Sequence, residues 1–293
     1  MTDQLIWITL GIVAAIVSSG IPLVQEKHKG NPFAVAIWVK IGVALLTLPF
    51  VLYFGLPDNP RFYIFAGLSA AIWSISDVIY YRSVSEVGAG IVSRVLPSAA
   101  ILSFLVWFMI NPDQLQKYLD NPIQGGLIFL IIIVASLLAM LMKKCPVSWR
   151  GLQLVWFVLM AAAIGPLVEK ISMGDTPKMQ TPFAMTFIQA VMMLGFWAVF
   201  ALIKRPISLT TFTLPTSWKT GLMISTFMTV VLCARFTALQ YVENPAFLSV
   251  ILFTDSLWIL LYYRLIGRKD DSKIWVGLGI VGCAAALVLV KSF

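Results

Sequence analysis

Charge is scarce in this chain. Only 12% of its 293 residues are Asp, Glu, Lys or Arg, against roughly 25% in soluble domains. With 60% apolar residues and a mean hydropathy of +0.92, no water-soluble packing hides so much apolar surface, and a soluble globular domain is excluded. Histidine is almost absent. The one copy, His28, stands in a polar turn and reads as a solvated loop residue. The three cysteines, Cys145, Cys233 and Cys283, are scattered, odd in number and fit no zinc or disulfide spacing. Enzyme motifs are missing as well: no Gly-x-Ser-x-Gly, no His-Glu-x-x-His and no P-loop. No two carboxylates share a helix face beside a nucleophile. The chain is therefore not expected to be an enzyme, and no cofactor, metal or nucleic-acid partner is expected.

What the chain has instead is long apolar runs. Ten segments reach the roughly 20 residues that a membrane-spanning helix needs: 4–24, 32–54, 62–83, 88–110, 123–142, 150–171, 182–203, 217–241, 245–265 and 274–291. The runs do not alternate as barrel strands do. Pro32, Pro182 and Pro245 open three of the segments, where a missing N–H costs nothing, and Asn31, Thr181 and Asn244 before them are expected N-caps. The first segment lacks a basic leader, its only leading charge being Asp3, so it reads as a retained helix rather than a secretory signal.

The chain also repeats itself. Pro22-Leu23-Val24 returns as Pro166-Leu167-Val168, Glu26-Lys27 as Glu169-Lys170, and Pro32-Phe33-Ala34 as Pro182-Phe183-Ala184. A weaker echo links residues 80–93 with 236–249. Five segments separate equivalent points. Five is odd, so the second copy would enter the membrane in the opposite direction, as in many secondary transporters. The expected architecture is an all-α polytopic membrane protein of ten transmembrane helices in two inverted five-helix repeats, 1–145 and 146–293.

In these features the whole chain resembles the drug/metabolite transporter superfamily, specifically its EamA type. The shared marks are Gly20 and Pro22 near the end of the first segment, Pro32 opening the second, and small residues after the third and eighth. Lys40 stands where many members carry Arg, and Ser19-Gly20 where many carry Trp-Gly. The usual Gly-Glu after the fourth and ninth helices is replaced by Asn111-Pro112 and Gly267-Arg268. The resemblance implies a substrate pathway lined by the third-to-fourth and eighth-to-ninth hairpins.

Ionisable groups at membrane depth cost at least about 2.5–3.5 kcal/mol and face a cavity or a partner. Lys40, Asp77, Arg94, Arg235 and Asp255 are the clear cases. Asp77 and Arg94 lie equally far from the turn joining the third and fourth segments, which predicts a pair. Arg235 and Asp255 flank the turn at Glu243 with a mismatch of about 6 Å at 1.5 Å per residue, within reach of an arginine. Two readings stand: structural staples between helices, or walls of a central cavity holding a charged or zwitterionic solute or a coupling proton. Trp73, Tyr80 and Tyr81 share the helix of Asp77. Asp77 between the rings of Trp73 and Tyr81 suits an ammonium group, unless these rings only pack. Trp7, Trp149, Trp218 and Trp275 are expected as interfacial anchors.

The expected function is secondary transport of a small polar metabolite, an amino acid, amine or similar compound, bound between the two repeats and driven by exchange, uniport or proton coupling. The alternatives are a polytopic enzyme of lipid-headgroup metabolism and a membrane scaffold. The protein is expected in the cell (inner) membrane as a multi-pass monomer or weak dimer. Setting aside Lys40, Arg82, Arg94 and Arg235, twelve of the other seventeen Lys and Arg fall in or beside the loops after segments one, five, seven and nine. The positive-inside rule then places both termini outside, whereas the resemblance implies cytoplasmic termini.

Overall fold

The computed structural model describes residues 2–28, 30–87, 96–142, 149–174, 176–204, 206–265, 267 and 273–292. Among them there is helix and no strand. The order is α1 (Thr2–Ser18), α2 (Gly20–His28), α3 (Pro32–Phe54), α4 (Pro60–Val87), a 3-10 turn (Leu96–Ser98), α5 (Ala99–Ile110), α6 (Pro112–Asp120), α7 (Pro122–Leu141), α8 (Trp149–Met173), α9 (Thr181–Lys204), α10 (Leu209–Thr213), α11 (Pro215–Tyr241), α12 (Pro245–Leu252), α13 (Asp255–Leu265) and α14 (Ile274–Ser292).

Nine helical units among the described residues are long and apolar enough to cross a membrane. The α5–α6 pair would be a tenth only if its 104° bend lies within one broken span. The outward faces are apolar. Leu52, Tyr53, Leu202, Ile203 and Leu265 are each more than 70% exposed, a surface fit for lipid rather than water. The chain is thus an all-helical protein with the make-up of a multi-pass membrane protein.

Asparagine–proline pairs set many of the helix starts. Asn31 accepts from the N–H groups of Phe33 and Ala34, both at 3.1 Å, while Pro32 fills the first helical position. Asn244 accepts from Ala246 at 3.0 Å before Pro245. Asn111 and Asn121 repeat the device ahead of Pro112 and Pro122. These caps satisfy donors that lipid would leave stranded. Thr181 departs from the expectation. It is already helical, because its hydroxyl donates backward to the Pro177 carbonyl at 2.7 Å and lies 2.7 Å from the Thr176 hydroxyl.

Two expected helices are interrupted. The first breaks at Ser19, where the hydroxyls of Ser18 and Ser19 take the carbonyls of Ala15 and Ile16 at 3.0 and 2.6 Å. The ninth breaks at Phe253–Thr254, with Thr254 and Ser256 bonded to the carbonyls of Ile251 and Phe253, both at 2.7 Å. Hydroxyls that compete for backbone acceptors let a helix bend without stranding polar groups. Asp255 therefore does not sit mid-helix. It opens α13, where the helix dipole favours an acid. Trp7 is also relocated: it is 4% exposed and belongs to the core, whereas Trp275 is 80% exposed as an anchor would be. The Trp149 side chain lies outside the described residues.

The helices of the two halves interleave. α3 lies between α11 and α9, α4 packs on both α8 and α9, α1 packs on α11 and α12, α5 on α8, and α7 on α14. One end of the bundle is tied by polar contacts. Lys170 Nζ donates to the carbonyls of Leu239 at 2.8 Å and Val242 at 2.5 Å. Ser172 donates to the Phe62 carbonyl at 2.8 Å, and Gln124 to that of Val290 at 2.8 Å. Lys291 pairs with Glu243 at 2.5 Å.

Candidate functional site

Helical spacing gathers charge at the centre. On α4, Ser69, Trp73 and Asp77 recur every four residues and share one face. On α11, Ile224, Met228, Leu232 and Arg235 form a comparable stripe. α3 supplies Lys40, α8 supplies Glu169, and α9 supplies Gln189. Between these helices lies a cavity of about 240 Å³, and Lys40, Trp73, Asp77, Glu169, Gln189 and Arg235 all line it. Four of the residues expected from the sequence, Lys40, Trp73, Asp77 and Arg235, are thus brought to one space.

The deepest group is Glu169, which is fully buried. Its Oε1 accepts from Trp73 Nε1 at 2.8 Å, from Gln189 Nε2 at 3.1 Å and from the Ser69 hydroxyl at 3.4 Å. Gln189 also donates to Ser69 Oγ at 2.9 Å. Oε2 pairs with Arg235 Nη2. The guanidinium lies over the rings of Trp73 and Phe236, 5.9 and 5.5 Å from their centroids, which adds cation–π attraction. Gly165, one turn before Glu169, makes room for the indole. A methyl group built there would lie 2.8 Å from the Trp73 ring.

Among the described residues the ion pair of Arg235 is therefore with Glu169, not with Asp255 as expected. Glu169 is four residues from the end of α8 and Arg235 six from the end of α11, and those ends meet where Lys170 is tied. Asp255 is not among the cavity-lining residues. Tyr80 is not among the cavity-lining residues and packs against Val155 and Val158. Arg94 and the Tyr81 side chain lie outside the described residues, and with Arg94 the expected Asp77–Arg94 pair.

Lys40 and Asp77 differ from the pair below them. Both face the cavity, and among the described residues neither has a hydrogen-bond or ion-pair partner. Among the described residues the site therefore holds two acids and two bases, one pair closed and one pair apart.

No protein-family model matches the chain. No curated protein matches it either. It is similar to a solved crystal structure along nearly its whole length, with a TM-score of 0.71, covering 98% of this chain and 99% of the other. Sequence identity is 11%, so the likeness is one of fold alone.

Sequence reasoning missed Glu169, Gln189 and Ser69. The sequence puts Glu169 two residues from the edge of its segment, expected to end at 171, where it counts only as half of a repeated Glu-Lys pair. The helix runs on to Met173, which carries Glu169 inward by a further half-turn. The available signal was Gly165 one turn before an acid within a spanning segment.

Proposed function

We propose that this protein is a secondary transporter of a small polar metabolite, of the drug/metabolite transporter type, working by alternating access in the cell membrane. The observation that carries this reading is the central cavity: four ionisable side chains from α3, α4, α8 and α11 meet between helices of both halves. Binding sites of secondary transporters lie at such a repeat interface. At about 240 Å³ the space falls below the roughly 300–1,000 Å³ of drug-sized sites, which favours a small solute.

The packing supports an exchange relation between the halves. Shift each spanning segment by five and α4 on α8 becomes α11 on α1. Likewise α3 on α11 becomes α9 on α4, and α5 on α8 becomes α12 on α1. The pairs α3–α9 and α7–α14 map onto themselves. Two halves that pack in each other's image can each adopt the arrangement the other has left, which is the basis of rocking between outward and inward openings.

Solute counterflow in proteoliposomes tests the proposal. Purified protein should concentrate a radiolabelled amino acid or amine against a preloaded unlabelled pool, with saturation. Absence of counterflow across a broad panel of amino acids, amines and nucleosides removes the proposal's support.

A further inference from the structure

The geometry points to a zwitterion site: Lys40 receives an anionic group and Asp77 a cationic group of the same small solute. This inference rests on the transport reading for its setting and takes it to a ligand class. Among the described residues four charges line the cavity, but Glu169 and Arg235 satisfy one another, and Glu169 has three further donors besides. The charges left for a ligand are Lys40 and Asp77, one of each sign, neither held in a hydrogen bond or ion pair among the described residues.

Opposite charges that line one cavity without meeting select by sum as well as by contact. A monocation would satisfy Asp77 and be repelled by Lys40. A monoanion would meet the reverse. Only a solute carrying both signs engages both, and like-charge juxtaposition in a low-dielectric site penalises the competitors. The rest of the wall is largely apolar: Val35, Val39, Ile224, Met228 and Leu232. That wall suits a short aliphatic body between or beside the two charged ends. Gln25 supplies polarity toward the α2 end of the cavity.

The test is isothermal titration calorimetry on the purified full chain in nanodiscs. Two matched sets serve as probes: leucine, isoamylamine and isocaproate; and alanine, ethylamine and propionate. Each triad keeps the aliphatic body and removes one charged group. A charge-assisted contact is worth a factor of about ten or more in affinity. At least one zwitterion should therefore bind about tenfold more tightly than both of its single-charge analogues. Lys40→Met should erase its advantage over the amine. Asp77→Asn should erase its advantage over the carboxylate. Joint exchange, Lys40→Asp with Asp77→Lys, should restore much of the preference. Size-exclusion profiles and melting curves identify any variant that does not fold, and the wild-type triads stand without the variants. A single-charge analogue binding within about threefold of its zwitterion in both sets overturns the inference, and so does failure of all six to bind. Counterflow with the same six solutes separates the two ideas. Zwitterion binding without movement leaves the site and removes the transporter; movement of the amines alone does the reverse.

Discussion

The Glu169–Arg235 pair should be lopsided, and its two halves can be removed one at a time. Arg235→Ala takes away one partner of a carboxylate that still accepts from Trp73, Gln189 and Ser69. Glu169→Ala strands more. The Trp73 N–H and the Gln189 amide both lose their shared acceptor, at about 1–3 kcal/mol for each unsatisfied buried group. Arg235 also loses its anion, and breaking a buried pair typically costs about 3–5 kcal/mol. The Arg235 side chain keeps 16% exposure to the cavity, where Asp77 is a second anion, so the lower end of that range applies. The expected order is Glu169→Ala at about 5 kcal/mol or more and Arg235→Ala at about 3, with Glu169→Gln between them because its oxygen still serves Trp73 and Gln189. Thermal unfolding in detergent provides the assay, followed by a thiol-reactive dye. Cys233 and Cys283 are free and half-buried, so they report exposure on unfolding. Arg235→Ala melting at or below Glu169→Ala would refute the reasoning, since the three neutral donors would then contribute nothing.

Lys170→Met should leave the Leu239 and Val242 carbonyls without their ammonium donor and cost about 2–3 kcal/mol. Hydrogen exchange at the C-terminal end of α11 should speed up, and unchanged protection there would rule out the tie. Gly165→Ala pushes a methyl group to 2.8 Å from the Trp73 ring and should cost about 1–3 kcal/mol by overpacking. Gly195→Ala meets nothing within 4 Å and should be neutral or stabilising by up to about 1 kcal/mol; equal melting points for the two would contradict the packing. Reporter fusions at both termini should show activity on the outer side, following the distribution of Lys and Arg. Activity on the cytoplasmic side at both ends would favour the family resemblance over the charge distribution.

Continuous apolar runs and helix-opening prolines made the spanning helices legible. The helix expected at 32–54 is found as Pro32–Phe54, and that expected at 245–265 begins at Pro245. The breaks were not legible. Serine and threonine are ordinary in apolar segments, and only coordinates show which hydroxyl bonds which carbonyl at Ser19 and Thr254. The site was half legible. Charges deep in a segment stand out against lipid, so Lys40, Asp77 and Arg235 could be singled out. Their partners could not, because pairing by distance from a turn assumes that hairpin neighbours touch. Here the strongest pairings join helices distant in sequence, and Arg235 meets Glu169 rather than its hairpin neighbour Asp255.

Trp73 makes the closed pair observable by light. Its N–H rests on the Glu169 carboxylate and its ring lies below the Arg235 guanidinium. The emission energy of an indole follows the electric field along its ring. A carboxylate at the pyrrole end stabilises the excited dipole and shifts emission to the red. Any event that draws Glu169 away from that N–H moves Trp73 toward the blue. With the other nine tryptophans replaced by phenylalanine or subtracted through a Trp73→Phe reference, the protein carries an intrinsic fluorophore wired to a fully buried carboxylate. The state of that carboxylate then becomes a signal recorded in real time, with no label added to the chain.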